Sequence, residues 1–172
     1  MAEERKQIAI FLADMYDEKE FWYPYFRMQE AGYNVKTIGA ELRTYYSKKL
    51  LEAEADTFIG AADPEDFSAL VIPGGYGPDH MRRSPEMVEF VTEMHEEGKP
   101  IAAICHGPWL FASADIINGK KLTSFYSIKD DLVNAGAEWV DQPVVVDGNI
   151  ITSRNPADLP RFCRVILEKI KK

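Results

Sequence analysis

The sequence predicts a doubly wound α/β sandwich with a mostly parallel sheet, and three observations predict it. Short apolar runs typical of buried strands alternate along the chain with segments of helical periodicity. A strand, a helix and a second strand follow one another near the start, and this connection implies parallel pairing. Several predicted strands end in residues suited to a binding site, and ligands of such sheets bind beyond the carboxyl ends of the strands.

The first half of the chain is predicted to hold three strands, two helices and one insert. In chain order these are a strand at 7–12, a helix at 18–31, a strand at 34–38, a β-ribbon or irregular insert at 43–57, a strand at 69–73 and a helix at 85–97. Gly32 ends the first helix, because glycine readily takes the left-handed conformation that closes a helix. Ser84 and Pro85 give the second helix an N-cap and a first helical residue, and Gly98 ends it.

The second half of the chain continues the alternation and ends in a helix. It is predicted to contain a strand at 101–104 that runs into Cys105, a short helix at 109–114, a helix near 128–135, a β pair at 144–152 and a C-terminal helix from Pro156. No internal repeat or low-complexity segment is present. We expect one domain over residues 1–172, because this length is near the usual size of a single domain.

Composition and charge argue against several classes of function. The formal charge of -8 and the scattered lysines and arginines disfavour nucleic acid as the primary partner, because phosphate binding needs clustered positive charge. No apolar run approaches the roughly 20 residues that span a bilayer, and the first apolar stretch is too short for a secretory signal. We expect a cytoplasmic protein without membrane contact. In that compartment Cys105 and Cys163 are expected to be free thiols.

Cys105 is the first candidate for chemistry. It ends the apolar run 101–104 and precedes the tripeptide His-Gly-Pro, a pattern typical of a buried strand that enters a sharp turn. A helix that begins after the turn has unpaired N–H groups at its start, and these stabilise a thiolate. A cysteine at such a place is as often a small core side chain, so position alone leaves both interpretations open. Cys163 lies on the apolar face of the last helix and is expected to pack in the core.

The three histidines narrow the mechanism, because none follows His106 in the chain. Papain-like proteases, glutamine amidotransferases and α/β-hydrolases all place the catalytic histidine well after the nucleophile, so none of these arrangements fits. His106, next to Cys105, is the best candidate for a general base. His95 suits a solvated helix face, and His80 either lines the cleft or lies at the surface. The histidines lack ligand spacing, so we expect no metal and no cofactor.

Two further segments are expected at the same edge of the sheet as Cys105. Asp17 and Glu20 begin the first helix, where acidic residues often only complement the helix dipole, but their place after the first strand also makes Glu20 a candidate neighbour of Cys105. Gly74 and Gly75 follow the third strand. Such a pair is more often a tight turn, and it also lets backbone N–H groups approach an oxyanion. Neither a Walker pattern nor G-x-G-x-x-G is present, so a phosphate loop is disfavoured.

Four blocks of sequence resemble the PfpI family of intracellular cysteine peptidases. In chain order they are LVIPGG at 70–75, AICHGP at 103–108, IKDD at 128–131 and NAGAEWVD at 134–141. The likeness runs along nearly the whole chain. It implies a flavodoxin-like doubly wound sandwich with a nucleophile elbow, as in class I glutamine amidotransferase-like domains. The wider superfamily includes the Parkinson-linked deglycase and small stress proteins, so the resemblance defines the fold better than the substrate.

The resemblance also implies roles for individual residues. Cys105 matches the nucleophile, His106 its partner, and Glu20 the carboxyl that hydrogen-bonds the sulfur as a protonated acid and keeps the thiol pKa low. Gly75 and the backbone of His106 match the oxyanion hole. Asp79 matches the triad acid that a neighbouring subunit contributes. The implied assembly is a homo-oligomer, a dimer or a hexamer, with Asp79 at the interface.

Two positions depart from the family pattern. The family typically has glutamate where this chain has the shorter Asp79, and it tends to have tyrosine at the position of Phe125. A substrate contact from that hydroxyl is therefore lost or is supplied by Tyr126.

The expected function is a cysteine-dependent hydrolase in which the Cys105 thiolate attacks a carbonyl carbon of a peptide or a small molecule. The alternative is a glyoxalase or deglycase acting on methylglyoxal or its adducts, which needs a hemithioacetal and proton shuttling by Glu20 and His106. A third interpretation, from another class, is a redox-responsive stress protein or chaperone in which Cys105 is oxidised. The residues alone leave all three open.

Overall fold

The structure, a computed structural model, describes residues 7–170 as an alternation of strands and helices. In chain order the strands are β1 (Gln7–Phe11), β2 (Asn34–Gly39), β3 (Thr44–Tyr46), β4 (Glu52–Glu54), β5 (Thr57–Phe58), β6 (Phe67–Ile72), β7 (Ile101–Ile104), β8 (Lys121–Leu122), β9 (Glu138–Trp139), β10 (Val144–Asp147) and β11 (Ile150–Ser153). The helices are α1 (Glu18–Glu30), α2 (Gly77–Met81), α3 (Pro85–Glu96), α4 (Trp109–Ser113), α5 (Lys129–Asn134) and α6 (Leu159–Ile170). None of these helices has the length and apolar character needed to cross a bilayer.

Seven strands form the central sheet, in the order β10-β11-β7-β6-β1-β2-β5. All neighbours are parallel except β10, which pairs antiparallel with β11. Helices connect β1 to β2, β6 to β7 and β7 to β11, which confirms the predicted flavodoxin-like doubly wound fold. The carboxyl ends of β1, β6 and β7 lie side by side, so the segments that follow these three strands meet at one edge.

Alternate residues of the central strands face two separate apolar layers. In β1, Ala9 and Phe11 belong to the layer of α3, α4 and α5, whereas Ile8 and Ile10 belong to the layer of α1 and α6. All four side chains are fully buried. Because the sheet is covered on both faces, its strands are nearly continuous apolar runs. Complete burial of one large aliphatic or aromatic side chain contributes about 1.5–3 kcal/mol to stability.

Side-chain caps define where two of the longer helices begin. Asp17 caps α1 by accepting hydrogen bonds from the N–H groups of Lys19 and Glu20, at 3.0 and 3.2 Å. Ser84 caps α3 as predicted, and accepts from the N–H of Met87 at 3.3 Å. A cap of this kind contributes about 1 kcal/mol to stability. The cap of α1 also fixes the first turn of the helix, in which Glu20 is buried.

The predicted insert is a β-ribbon, formed by β3 and β4, that folds back on the edge of the sheet. Hydrogen bonds join it to the segment after β1, from the N–H of Met15 to the Tyr46 carbonyl at 2.7 Å and from the N–H of Lys48 to the Tyr16 carbonyl at 3.1 Å. Tyr16 also forms a β-bridge with Gly75. The ribbon is therefore attached to the loops that follow β1 and β6.

Sequence periodicity missed several short elements, of which three lie near the functional edge. Helix α2 has five residues, and β8 and β9 have two residues each and pair with one another. Elements of this length contain too few residues for an apolar repeat to be recognised. Helix α2 bears on the site, because it carries Asp79 and His80.

Candidate active site

Cys105 lies in a sharp turn between β7 and α4. Its φ angle is +62°, in the left-handed region that residues with a side chain rarely adopt. The N–H of Cys105 donates to the Ser153 carbonyl, and its own carbonyl accepts from the N–H of Phe125, both at 3.0 Å. The turn is closed by the N–H of Gly107, which donates to the Ile104 carbonyl at 2.8 Å. These bonds hold the half-buried Cys105 in the geometry of a nucleophile elbow.

The glycine pair after β6 approaches Cys105 closely. Gly75 has a φ angle of +76°, and a Cβ added there would lie 2.5 Å from the Met15 carbonyl oxygen. A Cβ added to Gly74 would lie 2.7 Å from the Cβ of Cys105. The backbone N–H groups of Gly75 and His106 lie near the Cys105 sulfur and act to lower the pKa of its thiol. Backbone donors next to a sulfur are suited in kind to hold an oxyanion, and the predicted role of these two as an oxyanion hole stays a prediction.

Glu20 is fully buried next to Cys105. Its Oε2 accepts a hydrogen bond from the N–H of Gly74 at 2.8 Å, and its Oε1 has no hydrogen-bond partner among residues 7–170. Burial, aided by the negative charge of Asp17, raises the pKa of Glu20 from 4.5 to about 8. Glu20 therefore holds its proton at neutral pH and can donate it.

The pKa of the Cys105 thiol differs from the prediction. Burial raises it, and the Glu20 carboxyl raises it further when ionised, while the N–H groups of Gly75 and His106 lower it. The predicted low pKa of this thiol is therefore wrong for the resting site. A protonated Glu20 removes the charge repulsion, and His106 is close enough to accept the thiol proton. Transfer of the thiol proton to His106 would form the thiolate together with an imidazolium, as a coupled pair.

His106 lies between Cys105 and a serine that the sequence analysis did not single out. Its Nδ1 is 3.2 Å from the Cys105 sulfur, and its Nε2 is 3.3 Å from the Oγ of Ser127. The ring of Phe125 stacks on the imidazole, with centroids 5.4 Å apart and 25° between the planes. Burial and the charge of Lys48 lower the pKa of His106 from 6.5. The imidazole is therefore neutral at pH 7 and able to accept a proton.

Lys48 brings a positive charge to the site from the turn of the β-ribbon. Its Nζ lies 2.7 Å from Oδ2 of Asp17, and its charge favours the ionised forms of Glu20 and Cys105. The sequence analysis missed Lys48. The contact spans 31 positions of the chain, and nothing in the loose alternation of the ribbon indicates which of its residues returns to the edge of the sheet.

Asp79 lies apart from this cluster within one chain. It is a half-exposed residue of α2, and its carboxylate pairs with Arg83 one turn further along. In the part of the chain that the structure describes, no hydrogen bond joins Asp79 to His106. Its role as an acid supplied by a neighbouring subunit stays a prediction.

The remaining histidines lie on other elements. His80 is in α2, and His95 is in the last turn of α3, where its carbonyl accepts from Nδ2 of Asn149 at 3.2 Å. Within residues 7–170, no group of three or more His, Cys, Asp or Glu side chains is placed to hold a metal ion. Cys163 is fully buried in the apolar layer of α6, as predicted.

A pocket of about 310 Å³ opens beside Phe125. Its lining combines the rings of Phe125 and Tyr126 with the charged side chains of Asp141 and Arg154, which pair at 2.8 Å. The Phe125 ring stacks on one face of His106. As a phenylalanine, it carries no hydroxyl at this position. Tyr126 is 73% exposed and lines the pocket, and its supply of the missing hydroxyl contact stays a prediction.

Comparisons with known proteins agree with this geometry. The profile of the DJ-1/PfpI family matches residues 6–169. Deglycase PfpI of Pyrococcus furiosus is 39% identical over 165 residues, which cover 96% of this chain and 99% of the relative. YraA of Bacillus subtilis, which its name assigns provisionally to the cysteine proteases, is 40% identical over 170 residues, with 96% and 99% covered.

A solved structure supports the same assignment. DJ-1beta of Drosophila melanogaster superposes with a TM-score of 0.90 at 31% identity, covering 98% of this chain and 92% of that chain. The resemblance that the four sequence blocks indicate is thereby confirmed.

Proposed function

The chain belongs to the DJ-1/PfpI family, and we propose that it is a Cys105-dependent enzyme that acts on α-oxoaldehydes such as methylglyoxal, or on their adducts with amines. The observation that carries this proposal is a thiol placed between two proton carriers. Glu20, with a pKa of about 8, lies beside Cys105, and Nδ1 of His106 lies 3.2 Å from the sulfur. The name of Deglycase PfpI supports the same class of reaction.

The proposed reaction needs proton transfers but no oxidant. His106 takes the thiol proton while the sulfur bonds to the aldehyde carbon, and the carbonyl electrons move to the oxygen, which accepts from the N–H groups of Gly75 and His106. Protonation of that oxygen gives a hemithioacetal. The proton of the former aldehyde carbon is then removed and one is returned to the neighbouring carbon, with Glu20 and His106 as carriers, which gives a thioester. Water cleaves the thioester to a hydroxy acid and restores the Cys105 thiol.

Peptide hydrolysis is the second candidate function, and the contact between Cys105 and His106 favours it. Amide cleavage also requires the imidazolium to protonate a leaving amine, and a carboxylate on the far ring nitrogen stabilises that imidazolium. In the described part of the chain, His106 Nε2 meets only the hydroxyl of Ser127. Peptide hydrolysis therefore requires Asp79 from a second copy, in a dimer or a hexamer.

The two candidates are separated by assaying one preparation on three substrates. Three activities are measured for the wild type and Cys105→Ala. They are conversion of methylglyoxal to lactate, recovery of unmodified acetyl-arginine from its methylglyoxal adduct, and cleavage of a fluorogenic peptide. Cys163→Ala is the matched control, because it removes the other thiol. We expect the first two activities to depend on Cys105 and to survive in Cys163→Ala. A Cys105-dependent enzyme function is refuted if Cys105→Ala retains every activity.

The shared acid is tested by Asp79→Asn together with the mass of the assembly in solution. Loss of peptide cleavage in an intact oligomer would support the second candidate. A monomer that retains full activity would eliminate a triad shared between subunits.

A further inference from the structure

We infer that Ser127 is a positioning residue for His106, and that its hydroxyl orients the imidazole within one chain, as a triad acid does in a three-residue site. The inference deepens the proposed function, because it concerns the base that removes the Cys105 proton. It is independent of which carbonyl compound the thiol attacks.

The argument begins with the two ends of the imidazole ring. A neutral imidazole has one ring nitrogen that donates and one that accepts. Nδ1 of His106 lies 3.2 Å from the Cys105 sulfur and Nε2 lies 3.3 Å from the Ser127 Oγ. When Nε2 carries the hydrogen and donates it to the Ser127 oxygen, Nδ1 is left as an acceptor directed at the thiol. A hydroxyl can also donate to Nε2, and the proposed arrangement is the one in which it accepts, which leaves Nδ1 as a base towards Cys105.

The segment that carries Ser127 is attached to the nucleophile elbow itself. The N–H of Phe125 donates to the Cys105 carbonyl at 3.0 Å, and the Phe125 ring stacks on the imidazole. Ser127 lies in the short 3-10 turn that follows, and the next residue, Ile128, is buried in the core. One segment thus contacts the His106 ring on a face and at an edge. This common attachment holds Ser127 at a fixed position relative to the Cys105 thiol, even though the Ser127 side chain is exposed.

The hydroxyl and a carboxylate would differ in one respect that bears on the substrate. Both orient the ring, but a neutral hydroxyl adds no negative charge to stabilise an imidazolium. Asp79, the candidate carboxylate, pairs with Arg83 in its own chain. A ring oriented by Ser127 therefore suits the reversible proton transfers of aldehyde chemistry better than the protonation of a leaving amine.

The test compares Ser127→Ala, Ser127→Thr and a matched control, Ser113→Ala, which removes an exposed serine that is bonded to Arg82 on another element. Nitrogen-15 spectra of the three histidines report the tautomer of His106, with His80 and His95 as internal references. Alkylation of Cys105 by iodoacetamide at fixed pH reports thiol activation without any substrate. We expect Ser127→Ala to reduce the Nε2–H tautomer and to slow alkylation about fivefold, and Ser127→Thr to restore both.

Two results would overturn the inference. One is an unchanged His106 tautomer and an unchanged alkylation rate in a folded Ser127→Ala protein. The other is a tautomer that responds to Asp79→Asn in the assembled protein and not to Ser127→Ala, because the ring would then be oriented by a second copy. Neither measurement uses methylglyoxal, so failure of the proposed function and failure of this inference are distinguishable.

Discussion

Cys105 and Cys163 are both withdrawn from solvent, but only Cys105 is surrounded by polar groups. Burial raises the pKa of Cys163 to about 12, and its contacts in α6 are apolar. Burial also raises the pKa of Cys105, yet this thiol meets two backbone N–H groups and an imidazole at 3.2 Å. From this difference we expect a buried thiol to become reactive through the groups that accept its proton and its charge, and not through exposure alone.

The largest expected effect is a difference in reactivity between the two thiols. In the folded protein we expect iodoacetamide to modify Cys105 about 10³-fold faster than Cys163, because only Cys105 has a neighbouring base. Peptide mapping by mass spectrometry at several times measures both rates, and the same experiment in denaturant should make them similar. Equal rates in the folded state would contradict the comparison.

The redox interpretation is tested by comparing the oxidation of Cys105 and Cys163 by peroxide. Mild peroxide should add oxygen to Cys105 before Cys163. Rapid oxidation of Cys105 in a protein whose enzymatic activities do not depend on it would favour a redox-responsive stress protein.

The second effect concerns Glu20, which has no counterpart near Cys163 among the described residues. Glu20→Gln keeps the shape of the side chain but cannot exchange a proton, so we expect turnover to fall about 10²-fold. Kinetic assays of the folded variant measure this loss. A variant with wild-type turnover would show that Glu20 has no role in proton transfer.

The same substitution makes a prediction about stability. The pKa of Glu20 is about 8 in the folded protein against 4.5 when exposed, so the folded state retains a proton that the unfolded state releases. The contribution of Glu20 to stability is constant below pH 4.5 and falls as the pH rises from 4.5 to 8. With about 1.4 kcal/mol per pKa unit, the full loss is on the order of 4–5 kcal/mol. Denaturant titrations should show Glu20→Gln without this decline, and parallel pH profiles would contradict the raised pKa.

The third effect is a difference between Gly75 and Gly98, two turn glycines that both have positive φ angles. Alanine is strained by about 1–2 kcal/mol at either position. At Gly75 the new methyl group would also lie 2.5 Å from the Met15 carbonyl oxygen, whereas at Gly98 it meets no atom within 4 Å. We expect Gly75→Ala to cost about 2 kcal/mol more in unfolding free energy and to lower activity about 50-fold by displacing an oxyanion donor. Gly98→Ala should retain activity, and equal losses in the two variants would refute the placement of Gly75.

The sequence predicts those parts of the site that depend on residues close together in the chain or directly after a strand. Cys105 and His106 stand together in one short block, and Gly75 and Glu20 follow strands whose apolar character is plain. Ser127 and Lys48 were missed, because each reaches the site through a contact between distant segments that no periodicity indicates. The thiol pKa was predicted with the wrong sign, because desolvation depends on the packing around Cys105 and not on its sequence neighbours.

The smallest expected effect comes from removing the charge of Lys48, which does not contact the Cys105 sulfur. Lys48 lowers the pKa of His106, so Lys48→Gln should raise it and leave more of the imidazole protonated in mild acid. A protonated His106 cannot accept the thiol proton. The acid limb of the activity profile should therefore move to higher pH, with activity about threefold lower at pH 6 and little changed at pH 8.

Lys49→Gln is the matched control for this last change, because Lys49 is the adjacent exposed lysine and forms no ion pair among the described residues. The two variants change the net charge equally, so a general effect of charge would move both pH profiles together. A shift in Lys48→Gln alone would assign the effect to Lys48, which contacts Asp17 from the turn of the β-ribbon. Identical profiles would show that the ribbon fixes the shape of the site without tuning its base, and the contrast between the two cysteines would then rest on His106 and the two N–H donors.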